Sequence, residues 1–162
     1  MLARKLYPER LILRAFTMED ATRVQELAGG KEVAKTTLGI PHPYSIEAAT
    51  SWIENHPAMM ANGIFPFAIV LKGENSLIGT MALRINQAHN KGELAFWVGK
   101  EYWGNGFATE AAREIVRYGF EELKLNKLWA MAMSKYPASS KVMEKVGIKR
   151  EGVLRQGILM QN

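Results

Sequence analysis

The sequence predicts an α/β domain built on a mixed sheet. Three observations carry that prediction. Apolar segments of strand character recur along the chain, helical patterns fall between them, and one long helix joins two strand patterns as a crossover does. At 162 residues, 48% of them apolar and 23% charged, the chain suffices for one domain with a real core. A chain of that size hides roughly two-thirds of its surface on folding.

ERLILRAF (9–16) has the character of a first strand. Thr17 then opens a helix, with Asp20 three residues on as in a capping box, and apolar positions continue to Leu27 before Gly29-Gly30 ends it. After the Pro-punctuated stretch GIPHPYS (39–45), Ser45 caps a second helix carrying Ile46, Ala49, Trp52 and Ile53 on one face. HPAMMANG (56–63) reads as the break that follows. FAIVLK (67–72) and LIGTMALRI (77–85) flank KGENS and predict an antiparallel hairpin, and NQAHNKG (86–92) turns the chain into a third strand, ELAFWVG (93–99). From Thr109 to Leu123 a helix sets Ala111, Ile115, Tyr118 and Leu123 at core-facing spacings. KLWAMAMS (127–134) is a strand, SSKVMEKV (139–146) a short helix, and IKREGVLRQGILM (148–160) one more strand. No repeat, linker or low-complexity segment interrupts this order, so residues 1–162 are predicted to form a single domain.

Composition narrows the function classes. No apolar run approaches the roughly 18 residues of a membrane span. The charged N-terminus MLARKLYPERLILR does not resemble a signal peptide, which points to a cytoplasmic protein. There is no cysteine, hence no disulfide, thiolate nucleophile or Cys-based zinc site. His42, His56 and His89 are scattered without ligand spacing, read as loop or surface residues, and no metal site is predicted. The net charge of +5 favours an anionic partner. The basic residues come singly or in pairs such as Lys149-Arg150 among acids, so nucleic acid is not the expected partner.

The segment FWVGKEYWGNGFATEAAR (96–113) raises the question of function. It runs from a strand into a helix through two glycines one residue apart. A helix N-terminus presents about four unpaired N–H groups and the positive end of the dipole. Gly104 and Gly106 remove bulk and permit positive φ, so that successive amides can face one anion. A plain strand-to-helix turn would use the same glycines. A Walker loop needs Gly-Lys-Ser/Thr, which is absent, and a dinucleotide fingerprint wants a third glycine where Thr109 stands.

YWGNGFATEA resembles the pyrophosphate loop of the GNAT superfamily of acyl-CoA N-acetyltransferases, in the branch of the Rim-type ribosomal-protein N-terminal acetyltransferases. LRAFTMEDA, GELAFWVG and ASSKVMEKVGIKREGVLR agree with that family in order and spacing, so the resemblance covers roughly residues 9–157. It implies a central, mostly antiparallel sheet with one splayed parallel strand pair, helices on both faces, and acetyl-CoA wedged between strands 93–99 and 127–134. Main-chain groups of Phe96, Trp97 and Val98 would pair with the pantetheine arm, one amide polarising the thioester carbonyl. Trp103, Gly104, Asn105, Gly106, Phe107, Ala108 and Thr109 would form the pyrophosphate loop. Glu93 matches an acid of similar enzymes and is the candidate base, acting through water on the ammonium of the acceptor; a surface carboxylate at a strand end would look the same. Ser139 matches the family's serine near the sulfur, as hydrogen-bond donor or acid, and is equally placed to cap a helix.

Four departures accompany the resemblance. Trp103 stands where many members carry Arg or Gln, and Tyr136 replaces the Asn expected to contact the pantetheine. Met143 occupies the place of a general-acid tyrosine, which leaves the acid role to Ser139, to Tyr136 or to no residue. Relatives also continue past 148–160 into a final antiparallel strand that this sequence lacks on the reading above. The resulting open apolar edge predicts a homodimer or a loosely ordered C-terminus. The activity implied is transfer of an acetyl group from acetyl-CoA to a primary amine, on a protein N-terminus or on a small molecule such as a polyamine or aminoglycoside. A non-catalytic acyl-CoA-binding protein is the alternative from another class.

Overall fold

The computed structural model describes residues 5–28, 45–132, 149–154 and 157–161. Among these residues seven strands form one sheet in the order β1-β2-β3-β4-β5-β7-β6. They are β1 (Leu11–Arg14), β2 (Ile64–Leu71), β3 (Ser76–Asn86), β4 (Lys91–Val98), β5 (Lys127–Ala132), β6 (Lys149–Leu154) and β7 (Gly157–Gln161). Every neighbouring pair is antiparallel except β4 and β5, which are parallel as the crossover pattern predicts. Among the described residues four α-helices accompany them: α1 (Ala21–Ala28), α2 (Ile46–Glu54), α3 (His56–Ala61) and α4 (Phe107–Arg117).

The period-2 alternation of the strands divides the core between two faces. Leu11 and Leu13, Phe67 and Ile69, Met81 and Leu83, and Leu94 point to one face, where Ala111, Ala112 and Ile115 of α4 cover them. Ala68, Val70 and Trp97 point to the other, beneath Ala21, Val24 and Leu27 of α1 and Ala49 and Ile53 of α2. The caps read from the sequence are in place. Ser45 Oγ accepts from Ala48 N–H at 3.0 Å, and the Thr17 N–H donates to Asp20 Oδ2 at 2.8 Å. Asp20 also takes both Nη groups of Arg14, at 2.9 and 3.0 Å; burial would raise its carboxyl, and these bonds outweigh burial to hold it low.

Four expectations need correction. The segment 148–160 is not one strand but the hairpin β6–β7, and β7 pairs antiparallel with β5 from Trp129↔Gln161 to Ala132↔Ile158. The final strand expected to be missing is therefore present, and β7 is paired on both sides, which removes the unpaired ILM strand on which the homodimer expectation rested. HPAMMANG is not a break: His56–Ala61 is helical, because a proline in the first turn costs no hydrogen bond there. Ile46 is exposed rather than core-facing. His56 is not a surface residue. It is 5% exposed and packs edge-on against Phe16 and Trp52, with ring centroids 5.2 and 4.4 Å away.

That setting makes His56 acid-sensitive. Its Nε2 has no hydrogen-bond partner among the described residues, and burial pushes the imidazole down to about 4. A histidine lowered in the folded state favours folding while neutral, so the full stability holds above the unfolded value near 6.5 and is lost as the pH falls toward 4. The interval corresponds to roughly 3 kcal/mol. His56→Phe should keep the ring packing and flatten the fall in melting temperature between pH 7 and pH 4.5; parallel curves for the two proteins would show that His56 is not responsible.

Gly79 sets the approach of β3 to β4. A Cβ there would collide with the Trp97 carbonyl oxygen and lie 2.9 Å from Val98 Cα, both immobile backbone. Gly79→Ala is expected to cost about 2–3 kcal/mol in urea unfolding. Gly73→Ala, where nothing lies within 4 Å, should stay within about 0.5 kcal/mol of the unaltered chain.

Candidate active site

Pairing between β4 and β5 is short. It runs from Lys91↔Lys127 to Leu94↔Ala130 and then stops, although β4 continues to Val98 and β5 to Ala132. The two parallel strands therefore part at their C-terminal ends. The Gly99 N–H donates to the Ile78 carbonyl at 2.8 Å, which fixes the phase of the β3–β4 ladder. By the alternation of antiparallel bonds, Glu93, Ala95 and Trp97 turn their main-chain groups to β3, while Leu94, Phe96 and Val98 turn theirs the other way. Phe96 and Val98, beyond the last β5 pair, thus border the opening. Trp97 does not: its main chain pairs with Thr80 and its side chain is buried under α1. The expected main-chain trio is in that respect a pair. Part of it is already engaged, since Trp103 Nε1 donates to the Val98 carbonyl at 2.7 Å.

The glycine loop closes the mouth of this opening. After a 3-10 turn at Lys100–Tyr102, Gly104 and Gly106 take φ of 79° and 78°, the left-handed conformation that an L side chain resists. A Cβ on Gly104 would meet nothing within 4 Å among the described residues. Gly106 is the N-cap of α4, whose first internal bond runs from Glu110 N–H to the Gly106 carbonyl at 3.0 Å. The N–H groups of Gly106, Phe107, Ala108 and Thr109 precede that bond. Being a glycine, the cap has no side-chain oxygen to satisfy any of them. The loop is anchored from behind, where Arg23 of α1 donates to Tyr102 Oη at 2.8 Å and to the Leu77 carbonyl at 2.9 Å. Asn105 turns its amide inward to the Tyr102 and Trp103 carbonyls, both at 3.3 Å.

Glu93 lies three residues before Phe96, about 10 Å along the strand. It faces the α1–α2 side of the sheet opposite Arg84, its cross-strand partner, with Oε1 3.8 Å from Arg84 Nε. Burial pushes the Glu93 carboxyl up from its ordinary range, and the Arg84 guanidinium pulls it back by less. A carboxylate raised in this way is better matched to taking a proton near neutral pH.

Phe96, Val98 and Trp103–Thr109 are therefore brought to one region at the C-terminal end of β4, whereas Glu93 lies near the start of that strand, where it still pairs with Trp129 of β5. Ser139, Tyr136 and Met143 lie outside the described residues, as does His42. Arg10 was not anticipated: its guanidinium carbon stacks 4.5 Å from the centre of the Phe107 ring, at the N-terminus of α4. A single arginine ahead of a first strand carries no signal of that contact. Among the described residues no group of His, Asp and Glu is arranged to hold a metal ion, and no helix is long and apolar enough to cross a membrane.

Comparison with known proteins agrees with this geometry. Residues 10–149 match the acetyltransferase (GNAT) domain. The uncharacterized N-acetyltransferase YoaA of Bacillus subtilis strain 168 is 34% identical over 154 residues, covering 93% of this chain and 86% of its own. YdaF of the same organism, provisionally named a ribosomal N-acetyltransferase, is 29% identical over 158 residues, with 93% and 84% covered. Among solved structures, Mycobacterium smegmatis RimJ in complex with CoA-disulfide superposes with a TM-score of 0.88 over 99% of this chain and 88% of its own, at 19% identity.

Proposed function

The chain belongs to the acetyltransferase (GNAT) family, whose acyl donor is acetyl-CoA, and we propose that it acetylates the free N-terminal amine of a protein or peptide. The observation that carries the proposal is the opening between β4 and β5 with a row of helix amides at its mouth that the Gly106 cap leaves without a side-chain acceptor. That arrangement fits acetyl-CoA on two counts. The outward main chain of Phe96 and Val98 offers a strand edge to the pantetheine amides, and the left-handed Gly104 and Gly106 leave room for a diphosphate. Bound acetyl-CoA supplies the thioester acyl group.

The chain's own residues supply the rest. Glu93 takes the proton from the acceptor's ammonium through water, so that the amine nitrogen forms its bond to the acyl carbon as the carbon–sulfur bond breaks. The Phe96 N–H is the proposed donor to the acyl oxygen. Ser139 is the proposed donor to the departing sulfur. Two features support a protein N-terminus as acceptor. YdaF bears a ribosomal name, and Arg84, with 64% of its side chain exposed, puts a positive charge beside Glu93 that opposes a polyamine.

Mass-spectrometric turnover assays on peptides with free and with blocked N-termini, beside spermidine and an aminoglycoside, test this reading. Acetylation only of the free N-termini is expected. Preference for spermidine or the aminoglycoside would assign a small-amine substrate. Acetyl-CoA binding without turnover on any amine would favour an acyl-CoA-binding protein.

A further inference from the structure

Arg10 stands just before β1, one hundred residues from the helix it touches. Its main-chain N–H donates to Glu110 Oε2 and its Nε to Oε1, each at 2.7 Å, so both carboxylate oxygens are taken by one residue. The Arg10 carbonyl in turn accepts from Lys72 N–H at 2.9 Å, which ties the pair to the sheet. The guanidinium stacks on Phe107 and brings Nη2 to 3.5 Å from where a Cβ on Gly106 would lie.

Glu110 sits in the first turn of α4, where the helix dipole favours a negative charge. The same carboxylate, if bare, would repel any anion drawn to the amides of residues 106–109. Arg10 removes that conflict.

We propose that Arg10 is a positioning residue for the cofactor's phosphates: it cancels the Glu110 charge beside the loop and holds a guanidinium edge at the Gly106 turn. The inference rests on the reading of residues 104–109 as the diphosphate site, and it adds a charge relay from the first strand that the loop sequence does not contain. A bare clamp and a charge-cancelling pair differ in what happens when Glu110 is neutralised. In a clamp, losing either partner frees the same contact, so the two single variants weaken binding alike. In a charge-cancelling pair, the loss of Arg10 exposes a carboxylate, and the loss of the carboxylate exposes nothing.

The test is calorimetric titration of CoA into the unaltered chain and into Arg10→Gln, Glu110→Gln and the double variant, at low and high salt, with thermal melts of each. Arg10→Gln should bind roughly tenfold to thirtyfold more weakly at low salt, and the deficit should shrink at high salt. Glu110→Gln should bind within about threefold of the unaltered chain, and the double variant should recover most of the loss. Arg10→Lys, which keeps the charge, should lie between. Equal, salt-insensitive losses in the two single variants would overturn the proposal in favour of a clamp, and unaltered affinity in Arg10→Gln would overturn it outright. If Arg10→Gln melts below the working temperature, the comparison of Glu110→Gln with Arg10→Lys decides: affinity lost in both to the same degree refutes charge cancellation. Failure of the unaltered chain to bind CoA would instead strike at the diphosphate reading itself.

Discussion

Gly106→Asp is expected to weaken acetyl-CoA binding at least a hundredfold (about 2.7 kcal/mol) while the chain stays folded. Aspartate is one of the few side chains that tolerate the left-handed φ of 78° at this position. Among the described residues its Cβ would meet only Arg10 Nη2 within 4 Å, at 3.5 Å, so packing is not the objection. Charge is. The new carboxylate would stand among the amides of residues 106–109 and next to the guanidinium, neutralising the features that attract an anion. Two unit charges about 4 Å apart near a protein surface interact by about 4 kcal/mol, which exceeds the 0.3–1 kcal/mol each helix-terminal contact contributes. Gly106→Ala separates strain from charge. It should cost about 1–2 kcal/mol of stability, because alanine resists this φ, but far less affinity than the aspartate. Calorimetry and melting curves on the two variants read both quantities; equal losses of affinity would mean that shape, not charge, governs the loop.

The second large effect is on turnover. Glu93→Gln should lower kcat by about 10²- to 10³-fold and leave the KM for acetyl-CoA within about threefold, the signature of a lost proton acceptor rather than a lost binding contact. The pH profile adds a check that a structural role would not produce. The active form of a base is the carboxylate, which is populated as the pH rises through its pKa. Because burial raises the Glu93 carboxyl, the acidic limb of kcat/KM should lie above the ordinary range for glutamate. Arg84 acts against that rise. Arg84→Ala should therefore move the limb to still higher pH, whereas a limb unmoved by this substitution, or a Glu93→Gln enzyme of ordinary speed, would assign the proton transfer elsewhere.

Legibility in the sequence tracked the locality of the interaction. The strands β2 to β4 were readable because alternation, Asn75 and Asn90 at positive φ in the turns, and the Ser45 cap are all decided within a few residues. The hairpin β6–β7 was not. In sequence, Arg155 and Gln156 lack the Asn-Gly or Gly-X signal of a tight hairpin, so the segment 148–160 reads as unbroken. Helix α3 was hidden by Pro57, a breaker in most contexts and harmless in a first turn. In the candidate site, the glycine loop and Glu93 were visible because their motif is contiguous. The phase of β4, which excludes Trp97 from the opening and admits Phe96 and Val98, depends on the ladder with β3 and is not written in the segment itself. Arg10 is the extreme case, since only the folded sheet brings it to α4.

The most direct test of the central claim is amide chemical-shift mapping of the isotopically labelled chain during titration with CoA. The account predicts saturable shifts concentrated at Phe96, Val98 and Gly104 to Thr109, with Lys91 and Gly92, at the closed end of the β4–β5 pair, little changed. Shifts clustered away from the splayed strands and the glycine loop, or none at millimolar CoA, would contradict it.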